Sequence, residues 1–330
     1  MVWFKRLIIA ATVLALCVVV LGAYVRLADA GLGCPDWPGC YGELTVPESD
    51  EAILQAQQNY PGSIVEPSKA WKEMIHRYLA GILGLMIGII TVISYKNKED
   101  INVPIALPLG LLVLVVFQAA LGMWTVTELL KPIIVSAHLM GGMATLGLLV
   151  YLAHRHWVSV QSLINMNSRT IVIVRLSLLL LFFQILLGGW TSANYAALSC
   201  TDFPTCHGAL IPEMDFVNGF TIFRELGMTA EGRGLSLQAL HAIQWVHRVG
   251  AIILVTYFVF MAYILNAYPG LRLYRNLLIL VLVMQFLIGI ANLLLHLPIA
   301  LATLHNLGAA LLVIITVIIN SRIRKYKWLK

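Results

Sequence analysis

Charge is what this chain has least of. Asp, Glu, Lys and Arg make up 12% of its 330 residues, against roughly 25% in soluble domains. Hydrophobic residues reach 60% and the mean hydropathy is +0.85, so a soluble domain with a charged shell is excluded. Acids are scarcer than bases, 16 against 22, and there are five cysteines. No Arg- and Ser-rich amphipathic leader precedes the first apolar run, so no organelle import sequence is expected and a bacterial inner membrane is favoured. That run is about 19 residues long, beyond the 7–15 of a signal-peptide core. Leu16, which is not small, precedes Cys17. A retained first helix is therefore expected, not a cleaved signal or a lipoprotein anchor.

What is present is a series of long apolar runs. About 20 apolar residues span a bilayer, and eight such windows occur, near 7–25, 74–95, 104–124, 132–153, 170–190, 237–265, 276–295 and 299–320. The last two are joined through Leu297-Pro298, a tight helical hairpin. The fold class expected is an all-α integral membrane protein of eight transmembrane helices.

The charges are not spread evenly between the loops. With the N-terminus inside, Lys5, Arg6, Lys96, Lys98, Arg155, Arg169, Arg175, Arg272, Arg275, Arg322, Arg324, Lys325, Lys327 and Lys330 face the cytoplasm, with Glu99 and Asp100 as the acids among them. This satisfies the positive-inside rule. The pI of about 9.1 is thus a topology signal and gives no support for a nucleic-acid partner. Both termini are expected in the cytoplasm.

The chain reads as two copies of one unit. Leu21–Cys34 aligns with Leu187–Cys200 at a constant offset of 166, and the match continues through Asp36/Asp202, Pro38/Pro204, Cys40/Cys206, Gly42/Gly208 and Leu44/Leu210. His76-Arg77 recurs as His247-Arg248 at offset 171. Gln118, Gly122 and His138 recur as Gln285, Gly289 and His305 at offset 167. Four helices per copy is an even number, so both copies should share one orientation, related by a pseudo-two-fold axis along the membrane normal. The expected division is 1–165 and 166–330.

Cys34 and Cys40, and Cys200 and Cys206, fall in the loops on the outer side. Paired cysteines in an oxidising compartment are ordinarily disulfides, and the prolines between them favour a closed turn. Cys34–Cys40 and Cys200–Cys206 are accordingly expected as periplasmic disulfides. Metal ligation is the rival reading, since His207 follows Cys206, and redox-active pairing is a third. Cys17, inside the first segment, is expected to be inert packing.

Four of the nine histidines occupy repeated places: His76, His138, His247 and His305. An intramembrane histidine costs free energy without a partner. Two on facing helices of a four-helix unit are what a bis-histidyl haem requires. Arg77 and Arg248 follow two of them and could bind haem propionates bidentately, or simply anchor helices at the headgroups. His154 and His156 are expected to be solvated at the inner helix ends, His207 to lie in a loop and His296 at the interface. His241 should face away from His247, because six residues fall 120° short of two turns.

The repeat breaks beside one of these histidines. Glu73 stands three residues before His76, whereas Gln244 stands before His247. A carboxylate in a dry pocket can act as acid, base or charge stabiliser; an amide cannot take up a proton. The plainer alternative is a helix-entry residue favoured by the dipole.

With these residues in view, the chain resembles the haem A synthase family over essentially its whole length. The resemblance rests on Gly22-Ala-Tyr-Val-Arg-Leu-Ala-Asp-Ala-Gly-Leu-Gly-Cys-Pro-Asp-Trp-Pro-Gly-Cys-Tyr-Gly42, Glu73-Met-Ile-His-Arg77, Ser136-Ala-His-Leu139, Trp245-Val-His-Arg248 and Leu304-His-Asn306. It implies an enzyme that oxidises the C8 methyl group of haem O to the formyl group of haem A, through successive hydroxylations and loss of water from a gem-diol. It further implies that His76 and His138 hold the substrate haem O, that His247 and His305 hold a resident haem b, and that Glu73 is the essential acid. Both cysteine pairs are present here, whereas some branches of the family lack them. The implied partners are haem O synthase and cytochrome oxidase assembly components, in a lipid membrane; a homo-oligomer is compatible with all of this. A di-haem cytochrome that only moves electrons, or a non-catalytic haem carrier, would use the same four ligands without explaining Glu73 against Gln244.

Overall fold

The computed structural model describes residues 2–97, 104–157 and 163–325. Lys98, Glu99, Asp100, Lys327 and Lys330, which entered the charge count, lie outside the described residues. The helices are α1 (Val2–Leu27), α2 (Asp50–Asn59), α3 (Pro67–Lys96), α4 (Ala106–Thr127), α5 (Pro132–Trp157), α6 (Ser168–Ala193), α7 (Phe216–Gly219), α8 (Leu237–Leu265), α9 (Arg272–Leu294) and α10 (Ile299–Ser321). All but α2 and α7 are long and apolar enough to cross a membrane. This is the expected eight-helix multi-pass protein. Two short parallel strands, β1 (Ile164–Met166) and β2 (Ile323–Lys325), pair Ile164 with Ile323 at the ends of α5 and α10. They qualify the all-α expectation, and no apolar period marks them because each is three residues long.

Local chemistry sets the helix ends. Pro67 and Pro132 stand at the first helical position, where the missing N–H has no intrahelical partner. Asn167 and Ser236 cap α6 and α8 by accepting from Thr170 N and Ala239 N at 2.8 and 3.2 Å. The helices outrun several apolar windows. α3 begins seven residues before the window at 74, because Ser-Lys-Ala-Trp-Lys-Glu is polar yet helical. His76 therefore lies well inside its helix, not at its entry. At the α4–α5 and α9–α10 turns, Leu129-Leu130 and His296-Leu297 take left-handed backbone in the same relative places.

The core lies where α1, α5, α6 and α10 meet, with α3 and α4 on one flank and α8 and α9 on the other. Phe4, Ile8, Met143, Leu146, Leu149, Val313 and Ile319 are buried there. Small residues allow close approach, as membrane helices require: a Cβ on Gly147 would already touch Val313 and Val317. Large apolar side chains such as Leu85, Val113 and Phe183 face outward. Cys17 also lies on an exposed face of α1, so it does not pack inside as expected; α1 buries the stripe through Ala11, Ala15 and Val18 instead.

Polar contacts tie the central helices together at both ends of the core. Near the loop end, Arg26 Nη1 donates to Tyr195 Oη at 2.7 Å, and Arg26 Nη2 to Ser192 O at 3.2 Å. Tyr195 Oη in turn donates to Asp29 Oδ1 at 3.1 Å. At the far end His154 Nδ1 meets Ser321 Oγ at 2.8 Å, and Arg322 Nε donates to His154 Nε2 at 3.2 Å. His154 is thus an inter-helix joint, and His156 packs edge-on against Phe4. Neither is the freely solvated residue expected, since α1 and α10 run far enough to cover them.

Gly33 sits where the first loop presses on α3. A Cβ there would come within 2.8 Å of backbone atoms of Lys69 and Ala70, whereas one on Gly81 would meet nothing within 4 Å. Gly33→Ala should cost about 1–3 kcal/mol through overpacking, and Gly81→Ala should change stability by no more than about 1 kcal/mol. Thermal unfolding of both variants in detergent checks the contrast.

Candidate functional site: two histidine pairs beneath two disulfide loops

Two loops of one design cover the same end of the molecule. Disulfides join Cys34 to Cys40 and Cys200 to Cys206, each with a Cα–Cα distance of 4.8 Å. Each loop turns on an aspartate. Asp36 accepts the N–H groups of Tyr41 and Gly42 at 2.6 and 2.8 Å, and Asp202 those of His207 and Gly208 at 2.6 and 2.9 Å. Tyr41 and His207 are left-handed, as are the glycines after them, and the aspartate oxygens reward that conformation.

A side chain from the helix beneath holds each loop down. Glu73 Oε2 accepts Cys34 N–H at 3.0 Å, and Gln244 Oε1 accepts Cys200 N–H at 2.6 Å. Both are 5% exposed. The glutamate and the amide thus perform one structural task in equivalent places. Their remaining contacts differ. Glu73 Oε1 pairs with Arg77 Nη2 at 2.5 Å. Gln244 Nε2 donates to Ala197 O at 2.5 Å, and its Oε1 also accepts from Ser199 Oγ at 3.1 Å.

The arginines are tied to the loops as well. Arg77 Nη1 donates to Asp36 O at 2.9 Å and Gly39 O at 2.5 Å; Arg248 donates to Thr205 O at 2.8 Å and Cys200 O at 3.2 Å. A guanidinium has five donors, so both can also meet a carboxylate at the pocket mouth. Their structural role as loop anchors was not legible in the sequence.

Below the loops the four repeated histidines form two pairs. His76 on α3 and His138 on α5 face each other with ring centroids 6.5 Å apart and planes at 83°. His305 on α10 stands close to His247 on α8. Each ring rests on a glycine of a neighbouring helix. A Cβ on Gly22, Gly122, Gly188 or Gly289 would lie 2.8, 3.4, 3.1 or 3.1 Å from Cε1 of His76, His138, His247 or His305. A side chain at Gly22, Gly188 or Gly289 would press on its ring, whereas at Gly122 the contact would be close to ordinary.

These residues fit a haem. Nδ1 of His76, His138 and His305 is buried without a side-chain partner among the described residues, and these rings lie toward the backbone carbonyls of Val18, Gln118 and Gln285, which suits a proton on Nδ1 and leaves the other ring nitrogen for a metal. The 6.5 Å between ring centres leaves room for one metal ion, with metal–nitrogen bonds of about 2 Å on each side.

His241 was set aside in the sequence and proves to be near the second loop. It is 8% exposed, and a ring nitrogen lies within 4.8 Å of both Cys200 and Cys206 sulfurs. The His207 ring lies tilted beside it, with centroids 5.1 Å apart. The sulfurs are bonded to each other, so they offer no thiolate to a metal in this state. The helical angle correctly turned His241 from His247, but gave no hint of what it would face. His296 is exposed in the α9–α10 turn.

An eight-helix membrane protein with a buried histidine pair under each of two disulfide loops is the class that this fold and site define. Residues 5–317 match the model of the COX15-CtaA family, described as cytochrome oxidase assembly protein, and the chain belongs to that family. It is 42% identical to the heme A synthase of Shewanella oneidensis over 323 residues, covering 96% of this chain and 95% of that one. It is 28% identical to the heme A synthase of Nitrosospira multiformis, covering 94% and 91%, and 27% identical to that of Sinorhizobium fredii, covering 88% and 82%.

Asp202 makes the second loop acid-sensitive. The Thr205 hydroxyl and the N–H groups of Gly208 and His207 hold its carboxyl below the usual range. A depressed folded value means that this stabilisation is fully present above the ordinary carboxylate value, near about 4, and is lost as pH falls below it. Hydrogen exchange at His207 and Gly208, corrected for intrinsic rates, should be flat from pH 5 to 8 and accelerate in strong acid. Asp202→Ala should show the faster exchange at every pH.

Proposed function

We propose that this chain is an enzyme of haem A biosynthesis, oxidising the C8 methyl group of haem O to a formyl group and so serving cytochrome oxidase assembly. The reading is supported by the 42% identity over nearly the full length of a heme A synthase. It is carried by one structural observation: Glu73 and Gln244 hold the same loop N–H, yet one of them is ionisable.

Residues 1–165 and 166–330 are read as two functional halves. Arg26/Ser192, Asp29/Tyr195 and His154/Ser321 support this division. Each pair touches while its members stand one repeat apart in sequence, as residues beside a two-fold axis do. The loops are assigned to the periplasm and both termini to the cytoplasm, following the positive-inside pattern.

In the first half, His76 and His138 hold haem O from two helices, which fixes the macrocycle so that one methyl group is presented repeatedly to the same surroundings. In the second, His247 and His305 are the residues for haem b, which when bound supplies a one-electron relay. Glu73 sits one turn outward of His76, ion-paired to Arg77 and roofed by the Cys34–Cys40 loop. A carboxylate there can accept a proton released as the methyl group is oxidised, and Arg77 holds it in place. The loop keeps bulk water off the same place. Arg77 and Arg248, on the outward side of their histidines, meet the propionates.

Glu73→Gln is the decisive variant, because Gln244 shows that an amide can hold the loop. It should fold, retain haem b and bind haem O. Haem A should fall by roughly 10²–10⁴-fold, the range for loss of a proton-transfer group, with haem O or a hydroxylated product accumulating in extracted pigment. Near-normal haem A would remove Glu73 from the chemistry. In a companion experiment, His247→Ala or His305→Ala should abolish the low-spin haem b signal, and full retention in both would sink that ligand assignment.

A further inference from the structure

The second loop carries a buried charge that neither histidine pair uses. Arg224 is 5% exposed, and its partners are neutral. Nη2 donates to Asn194 Oδ1 at 2.5 Å and Nη1 to Met228 O at 3.2 Å, with the Trp190 ring 5.7 Å from the guanidinium carbon. Nε is buried and has no partner among the described residues. A cation taken out of water without an anion beside it is costly, and burial accordingly pushes the Arg224 pKa down with no carboxylate to offset it.

Arg224 lines a cavity of about 350 Å³, whose other walls include Lys131 and Ile133 at the start of α5 and Phe223, Glu225 and Met228 of the loop. That volume lies in the range of small-molecule sites, about 300–1,000 Å³. Lys131 Nζ meets Glu128 Oε2 at 2.5 Å and Glu225 Oε1 at 3.1 Å. An ammonium has three donors, so one is left over. Glu225 is 62% exposed and engages Lys131 through Oε1, which leaves its second oxygen. The cavity therefore presents two cations, a carboxylate at the rim and an apolar wall. A simple anion there would be opposed by Glu225, and a simple cation by Arg224. A zwitterion that joins a phosphate to an ammonium answers both.

The place of the cavity selects an amphiphile. Lys131 directly precedes α5 and Trp190 stands in the last turn of α6, so the cavity lies level with the ends of membrane-spanning helices. Val217, Ile222 and Phe223 on the same loop are exposed, and apolar side chains at that level suit the boundary between headgroups and acyl chains. We infer that the cavity holds the headgroup of a phosphatidylethanolamine-type lipid. The phosphodiester meets Arg224 and Lys131, whose N–H groups are strong phosphate donors. The primary ammonium meets Glu225, and the chains leave along Ile133 and Phe223. Lys131 comes from residues 1–165 and Arg224 from 166–330, so one lipid is held by both parts of the chain. The inference is independent of which histidines hold a haem.

The test uses the full-length protein, stripped of lipid in detergent, with one dioleoyl phospholipid added at a time and the bound fraction read by native mass spectrometry. Phosphatidylethanolamine should bind roughly tenfold more tightly than phosphatidylcholine, whose quaternary ammonium has no N–H for Glu225; one hydrogen bond to a charged group is worth about that factor. Phosphatidylglycerol, which lacks the cation, should also bind more weakly. Glu225→Ala, at an exposed position, should bring the ethanolamine and choline lipids to equal affinity. Arg224→Gln should weaken both by roughly tenfold; if it fails to fold, Glu225→Ala still decides. Equal binding of the ethanolamine and choline lipids by the unaltered protein, or a preference that survives Glu225→Ala, would overturn the inference. Tightest binding of phosphatidylglycerol would overturn it too, in favour of a plain anion site. Soluble glycerophosphoethanolamine binding as tightly as the lipid would remove the membrane as the source.

Discussion

One hydrogen bond organises the disulfide-loop end of this molecule: the N–H of the first loop cysteine, donated to a side chain three residues ahead of a His-Arg pair. Cys34 N–H meets Glu73, and Cys200 N–H meets Gln244. At a bilayer surface a loop must satisfy its own backbone groups or present them to water. Here the loop turns them down onto the helix that carries the histidine. The disulfide shortens the loop, the aspartate folds it, and the arginine after the histidine binds its carbonyls. Loop, helix and ring position are therefore coupled.

The same scaffold occurs twice, and its differences fall around one histidine. Glu73 against Gln244 changes whether a proton can be held above the ring. Glutamate and glutamine are alike in size, and this difference requires no new fold, because the carboxylate and the amide accept the same N–H.

Much of the architecture was legible beforehand because a membrane allows few solutions. Backbone groups in hydrocarbon force helices, and the apolar windows therefore marked all eight spans, although the polar first turns of α3 escaped them. The cysteine pairing followed from spacing and compartment. The paired histidines and the Glu73/Gln244 break were visible because a repeat provides its own comparison. The small strands, the placement of His241 beside Cys200–Cys206 and the joint between His154 and Ser321 were not legible, since each depends on which helix lies opposite.

The sequence by itself singled out the candidate residues, since intramembrane histidines and a carboxylate beside one of them are costly to bury. Only the tertiary structure decided what those residues touch. Arg77 and Arg248 bind loop carbonyls, Glu73 and Gln244 share one N–H, and Gln184 reaches His247 across 63 residues of chain. The reason is geometric. Residue type and spacing along one helix follow from a fixed rise and turn, but the residue facing a given ring comes from another helix, and its identity is set by how the helices pack.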